Sequence, residues 1–467
     1  MFEVGSKRFV YLVALMCFTG TLILILLSHG TYDPGDGVQH YLIAKYALKH
    51  PLLLLNHWGK PIYTLLCLPF AQLGFIGSNL YNLLCNTLTA YLTFKIALKL
   101  NFKNAWVAFV LVFFSPLFFM TNFSGLTEPT FALILTSAIF LMLNSAYAWA
   151  AIIISFLPFA RTEGFFIIPI FVIYLLVKKQ WKYLFLTGLG TLLYAVIGYF
   201  VFNDFFWILH QNPYKGAIDI YGKGPLFHFV AANDRLFGLP AVALFIVGTV
   251  SLFRIKTFHK QTKINIAFLV YGSLTIYFVM HSIFWWKGLF GSLGLHRVMA
   301  GIAPLFGIVA LIGFNSVHHF LNVNKTIQKT WLILVITAIV LWPLKQYHPP
   351  LKPDTEMGVL IETADWIKNN HVIVNQKVYC MYPYLGMLLN VDVFEPAQYI
   401  STCMLKFPDF SDALAPGDLI IWDSHFGHEC AFNPTDIEKL PRIKLIKQFK
   451  KPSYSNYIFE VYVFVVQ

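Results

Sequence analysis

The sequence predicts a polytopic α-helical membrane protein with a small α/β domain at its C-terminal end. Three observations predict it. Of 467 residues, 58% are hydrophobic, 17% aromatic and only 12% charged, with a mean hydropathy of +0.65; a soluble chain carries about twice that charged fraction. Apolar stretches long enough to cross a bilayer recur through residues 1–346. The acids segregate: residues 1–351 hold 24 Lys and Arg against 8 Asp and Glu, whereas residues 352–467 hold 10 against 14. This composition excludes a soluble globular enzyme, a disordered chain and a disulfide scaffold. The basic excess upstream is the kind that membrane proteins collect on one face of the bilayer, and it implies no nucleic-acid partner.

Eleven spans are expected, over 8–28, 78–98, 104–120, 127–144, 147–160, 163–177, 183–202, 236–253, 264–284, 298–316 and 330–346. The fifth and sixth are short enough to be one bent hairpin or two tilted helices. No small-residue cleavage site follows Leu27-Ser28-His29-Gly30, so the first span reads as an anchor. Lys7 and Arg8, Lys95, Lys99 and Lys103, Lys178, Lys179 and Lys182, Arg254, Lys256, Lys260 and Lys263, and Lys325 and Lys329 all fall on one side in this count. That side is therefore cytoplasmic. The N-terminus lies with it, and the loops 29–77, 203–235 and 285–297 lie outside with the tail. The expected division is a transmembrane domain over 1–346 and an extracytoplasmic α/β domain over 347–467.

In the tail, Met357, Leu360, Ile361, Ala364 and Ile367 recur at helical spacing over 355–370. Strands are expected over 372–380, 418–422, 443–449 and 457–466. Cys17, Cys67 and Cys85 fall in or near spans and read as packing residues. Cys380, Cys403 and Cys430 lie on the oxidising side, where one pair among them can form a disulfide. The run Asp423-Ser-His425-Phe-Gly-His428-Glu429-Cys430 carries metal-capable side chains, but its spacing fits a structural loop better than a zinc site.

Acids inside a bilayer are costly, and none of the 22 falls mid-span. Outside the tail, and apart from Glu3, they are Asp33, Asp36, Glu128, Glu163, Asp204, Asp219 and Asp234, all in external loops or at external helix ends. That distribution points to a reaction site at the external surface rather than to an ion-coupled transport path. In the first external loop, Pro34-Gly35 makes a turn before Asp36, which is placed to cap the helix that follows. Asp36 and His40 are four residues apart and share a helix face. A second segment follows Asn56-His57-Trp58-Gly59-Lys60-Pro61, and both segments are expected to lie along the interface. From spacing alone Asp36 reads as a cap and His40 as an interfacial residue. Glu128 and Glu163 start helices, where a carboxylate complements the helix dipole, and Glu163 is within reach of Arg161.

Taken in order, these motifs resemble those of the GT-C glycosyltransferases, the polytopic enzymes that use polyprenyl-phosphate-linked sugars. The resemblance is to the aminoarabinose transferases and protein O-mannosyltransferases in particular. Asp36-Gly37-Val38-Gln39-His40-Tyr41 is similar to their acidic motif after the first span, and Gly59-Lys60-Pro61 to their Lys-Pro stretch. Leu126-Thr127-Glu128-Pro129, Ala160-Arg161-Thr162-Glu163-Gly164 and His296-Arg297 before Pro304 follow in family order. The chain departs from the pattern at Gly37 and Gly59, where relatives often carry acids, which withholds the paired acids that a metal role would use.

The resemblance implies a GT-C-like fold in a bacterial inner (plasma) membrane. It also implies an inverting transferase that moves a mannose-like hexose or a pentose from a polyprenyl-phosphate donor to a hydroxyl on a glycan, lipid or protein. Asp36 would be the general base, since an attacking hydroxyl must lose its proton. The departing phosphate needs cations, and Lys60, Arg161, Arg235, Lys287 and Arg297 are the external candidates. Arg297 comes first because it matches the family's basic residue, and Lys60 second. His40, His57 and Glu128 are expected in the donor or acceptor pocket. Trp285 and Trp286 fit an aromatic belt or a sugar-stacking surface. No cofactor is specified; a divalent cation stays compatible with the sequence. Two other readings stay open: a polymerase or ligase using a lipid-diphosphate-linked glycan, and a non-enzymatic transporter of lipid-linked sugars.

Overall fold

Each of the eleven apolar segments folds as helix in the computed structural model of the chain. The structure describes residues 6–213, 222–254, 260–370, 376–405, 414–430, 432–453 and 457–467. Glu3, Asp219, Lys256 and the start of the strand expected at 372 lie outside the described residues. Five described helices are long and apolar enough to span a bilayer: Lys7–Leu26 (α1), Trp181–Phe202, Lys260–Lys287, His296–Val323 and Lys325–Tyr347. The bent pair Trp106–Phe113 and Pro116–Phe123 forms a sixth, with shorter apolar helices beside them. The fifth and sixth expected segments are two helices that meet at Arg161, whose backbone is extended. Large apolar side chains stay exposed along α1, from Tyr11 to Leu27, and on Phe200, Ile333 and Leu334, as a lipid solvent requires.

Close helix packing here relies on small residues. The helices Leu239–Arg254 and Ala303–Phe320 touch backbone to backbone. A Cβ added at Gly248 would lie 2.1 Å from the Val309 carbonyl oxygen, and one at Gly313 would lie 1.9 Å from that of Leu244. Phe306 is stacked between Phe237 and Phe245 at 3.9 and 4.3 Å beside this contact.

Four elements position the loop that follows α1. These are α2 (Asp36–Tyr46), α3 (Pro61–Ala71), α4 (Phe75–Lys99) and the broken helix α5 (Trp106–Phe113) with α6 (Pro116–Met120). The break falls at Ser115-Pro116, where proline cannot continue the amide ladder, and the two halves bend by 67°. Past the break, the buried carbonyls at the end of α6 and in the segment that follows it need donors. Two buried asparagines one turn apart on α4 supply them. Asn82 Nδ2 faces the carbonyls of Thr121, Ser124 and Leu126 at 3.2, 2.7 and 3.0 Å. Asn86 Nδ2 donates to Phe118 O at 2.9 Å and to Asn122 Oδ1 at 2.8 Å. The segment so fixed then holds the first loop. Thr31 Oγ1 and Tyr32 N both donate to Phe123 O, at 2.8 and 3.0 Å.

In the tail the helix Thr355–Asn370 falls on the expected residues and packs on a five-stranded sheet. Its strands are β1 (Val378–Tyr379), β2 (Tyr399–Ile400), β3 (Leu419–Asp423), β4 (Ile443–Pro452) and β5 (Ile458–Val466), in the order β2-β1-β3-β5-β4. The β1–β2 and β1–β3 pairs are parallel; β3–β5 and β4–β5 are antiparallel. The strand β2 and the helix Pro383–Leu389 were not expected from pattern; both are too short to show a period. Cys403 pairs with Cys430, and Cys380 is a buried free thiol. One apolar core runs from α2 (Val38, Tyr41, Leu42) through α3 (Tyr63, Cys67) into the tail (Leu360, Tyr382, Leu385). As a result α2 is enclosed by protein on most sides rather than lying with one open apolar face.

Candidate active site

The site is organised by the turn before α2. Asp36 is the first residue of that helix, and the N-cap, Gly35, makes no side-chain cap bond. The capping expected of Asp36 is done instead by Asp33, whose Oδ1 accepts from Gly37 N at 2.8 Å. Only Pro34 and Gly35 separate the two aspartates, and the turn they make lets Asp33 fold back over the helix end and leaves Asp36 available for other contacts. A Cβ at Gly125 would sit 2.2 Å from Gly37 O, so the α2 start is pressed against the 121–127 segment.

Arg297 reaches both aspartates: Nη1 donates to Asp33 Oδ2 and Nη2 to Asp36 Oδ2. Its Nε lies 3.9 Å from Glu128 Oε1. A second arginine forms the floor. Arg161 Nη1 donates to Glu128 Oε1 at 2.6 Å, and its Nη2 to Glu163 Oε1 at 2.8 Å. His281 Nε2 stands 3.5 Å from the same Glu163 oxygen. The helix-start carboxylates therefore do more than complement a dipole, since they hold Arg161 between them. Of the four carboxylates, Asp36 is the most accessible, with 29% of its side chain exposed against 12% for Asp33, 19% for Glu163 and none for Glu128. Substrate can therefore reach Asp36 most directly.

Seven of the nine candidates, Asp36, His40, His57, Lys60, Glu128, Arg161 and Arg297, line one cavity of about 500 Å³. The rest of its wall is mostly apolar, with Phe159, Phe165, Phe166, Phe284, Phe290 and Leu293 prominent and Glu163, His281 and Asn212 among the polar exceptions. Lys60 is buried at the start of α3 with φ 59°, a left-handed backbone that a lysine adopts only under constraint. Burial pushes Asp36 above the usual carboxylate range, against the pull of Lys60 and Arg161. Burial, with Lys60 and Arg161 nearby, pushes His40 down to about 3. Burial and Lys60 push His57 down to about 4. Both imidazoles are thus neutral hydrogen-bonding groups near pH 7. His40 Nδ1, His57 Nε2 and Glu128 Oε2 are buried without a hydrogen-bond partner among the described residues. Buried polar atoms of this kind are ready to meet a polyhydroxylated ligand.

Arg235 and Lys287 are not part of the cavity wall, and Lys287 Nζ sits over the Trp286 ring at 3.7 Å. Trp285 packs on His228 and against Gly224 and Gly294 rather than facing the cavity. Among the described residues, three metal-capable groups gather at His50, Asp392 and Glu395, away from this cavity. A lysine already occupies that place, with Lys49 Nζ at 2.8 Å from Asp392 and 3.1 Å from Glu395. The 423–430 run is a loop, as expected, with Asp423 accepting from the His425 and Phe426 amides.

Sequence reasoning missed Asp33 as a partner of Arg297, the α4 asparagines and His281. The signals were present, since Asn82, Asn86 and His281 are polar groups inside apolar helices, where they need a partner.

No family model and no curated protein matches the sequence. Among the solved structures the chain is similar to are two of ArnT from Cupriavidus metallidurans. For the one bound to undecaprenyl phosphate the TM-score is 0.57, at 10% identity over 97% of each chain. For the apo state it is 0.58, at the same identity and coverage. The likeness is one of fold alone: over 97% of each chain, the helical body and the C-terminal domain follow the plan of ArnT, the kind of fold expected from the sequence.

Proposed function

We propose that the chain is an inverting glycosyltransferase that moves one sugar from a polyprenyl phosphate to an acceptor hydroxyl at the outer face of a bacterial inner membrane. One observation carries this reading: seven residues drawn from five separate segments line a single cavity whose remaining wall is mostly aromatic and aliphatic, with Glu163, His281 and Asn212 among its polar members. The ArnT fold, seen elsewhere with undecaprenyl phosphate bound, supports a polyprenyl donor.

The chemistry follows from the side chains. Asp36 takes the proton of the acceptor hydroxyl as its oxygen attacks the anomeric carbon, and the bond to the phosphate oxygen breaks on the opposite face. Enclosure that raises the Asp36 pKa makes it a stronger base, while contact with Arg297 favours the ionised form that a base requires. Lys60 and Arg297 meet the phosphate, which is already a good leaving group, so no acid is needed. Arg161 is held by two glutamates and serves to fix Glu128, whose open oxygen accepts from a sugar hydroxyl together with His40 and His57. The apolar wall suits isoprene units. In this reading residues 347–467 face the extracytoplasmic side and the N-terminus the cytoplasm.

The test is donor class. Purified protein in proteoliposomes is supplied with undecaprenyl-phosphate-linked monosaccharides and, separately, with a diphosphate-linked oligosaccharide. Release of undecaprenyl phosphate from a monophosphate donor is expected. Turnover of the diphosphate donor alone would favour the polymerase or ligase, and movement of lipid-linked sugar without cleavage would favour a transporter.

A further inference from the structure

The tail reaches the base-bearing helix at both ends. At its start, the Phe426 ring lies over Gly35, the residue before Asp36: a Cβ at Gly35 would sit 3.6 Å from Phe426 Cζ. At its far end, Tyr46 Oη donates to Val391 O at 3.1 Å, and Lys49 and His50 meet Asp392 at 2.8 and 3.0 Å.

The loop that carries Phe426 is held from every side. Asp423, buried at the end of β3, accepts from the amides of His425 and Phe426 at 3.0 and 2.8 Å. His425 Nδ1 pairs with Glu356 Oε2 at 3.0 Å. Tyr382 stands edge-on to the Phe426 ring at 4.9 Å. Gly427 is pressed so closely on Trp422 that a Cβ would come within 2.3 Å of its ring. Cys430 closes the loop by its disulfide to Cys403. A six-residue loop in ordinary surroundings is mobile, whereas this one carries an aromatic ring on a rigid mount aimed at one glycine.

We propose that Phe426 is a positioning residue, by which the tail fixes the first turn of α2 and hence the Asp36 carboxylate against Arg297. The proposal rests on Asp36 being the base. Its physical ground is that a displaced catalytic group loses rate steeply, about 100-fold for 1 Å. Gly35 gives the turn no side chain of its own to pack, so the ring tip from the tail is what packs against the turn from that side.

The experiment uses the full chain in nanodiscs with Phe426→Ala, Phe426→Met and, as a control, Phe449→Ala, which removes a ring of the same shared core away from the loop. Hydrogen exchange is read over residues 31–46, and kcat, donor KM and the pH profile are read in the transfer assay. For Phe426→Ala, exchange over 31–46 is expected to quicken about tenfold and kcat to fall about 30-fold with donor KM within twofold. The acid limb is expected to move to higher pH as Asp36 loosens from Arg297. Phe426→Met, which restores the reach, is expected to recover most of kcat, and Phe449→Ala to leave exchange over 31–46 and the acid limb in place. Unchanged exchange in Phe426→Ala, kcat within twofold of wild type, or the same changes in Phe449→Ala would each overturn the proposal. A wild-type protein that cleaves no polyprenyl-phosphate donor would sink the glycosyltransferase reading instead, and the exchange arm would still decide the contact.

Discussion

Arg297 bridges Asp33 and Asp36 with its two terminal nitrogens, so the residue expected to meet the donor phosphate also braces the proposed base. The two roles are compatible, because a guanidinium offers five donors and the Nε edge faces Glu128 at 3.9 Å. They have a measurable consequence. Replacing Arg297 by Lys keeps the charge but removes the fork that spans both carboxylates. Less contact with a cation lets the Asp36 carboxyl hold its proton more tightly, so the acid limb of kcat is expected to move to higher pH in Arg297→Lys. Donor KM is expected to rise by about tenfold, the scale of one charged hydrogen bond. An acid limb that stays in place would separate Arg297 from the base. His40 and His57 add no limb of their own between pH 5 and 8, because their pKa values lie at about 3 and 4. Asp36 was legible in the sequence as an acid just outside a span, and Arg297 as a cation at the mouth of another. Their contact was not, since it joins residues that no local period relates.

Single elements carry the site through their breaks. The end of α6 and the segment after it would leave carbonyls stranded without Asn82 and Asn86, and that segment carries Phe123 and leads into Glu128. Asn82→Leu keeps the volume and removes the donor. It is expected to cost about 2 kcal/mol in thermal unfolding of the solubilised protein and to lower kcat through the displaced 121–127 segment. A loss below a few tenths of a kcal/mol would show that these carbonyls find other donors. In the tail, the β3 end titrates. Burial raises Asp423 to about 6, above the value near 4 of an unfolded aspartate. Between pH 4 and 6 the unfolded chain gives up this proton first, so stability falls as pH rises and the full penalty, about 3 kcal/mol, is present above pH 6. The Glu356 carboxylate raises His425, which stabilises below pH 6.5 and is lost as pH climbs through its folded value. Asp423→Asn is therefore expected to remove the loss between pH 4 and 6 and to leave the loss at higher pH. Amide exchange of residues 419–430 against pH checks both parts, and a wild-type slope surviving in Asp423→Asn below pH 6 would contradict it. The helix Thr355–Asn370 and the long strands β4 and β5 were readable because their periods repeat over many residues. The two-residue strands β1 and β2 and the helix Pro383–Leu389 gain their order from neighbours rather than from pattern.

At the scale of the whole molecule, the apolar segments define the helical body, and a shared core ties α2 to the tail as well as to α3 and α4. The sequence shows a hydrophobic body and an acidic tail as separate parts because their compositions differ. Their joint surface is invisible to composition, since Val38, Leu42 and Leu360 are ordinary apolar residues until the fold brings them together. The same holds for the site, where each motif is weak alone and one cavity gathers all of them. The measurement that bears most directly on that cavity is single-turnover transfer by Asp36→Asn from an undecaprenyl-phosphate-linked sugar in proteoliposomes, read beside its binding of undecaprenyl phosphate. If Asp36 takes the acceptor proton, the rate falls by about 1,000-fold while lipid-phosphate binding stays within about threefold. A variant that transfers at near the wild-type rate would show that the proton goes elsewhere.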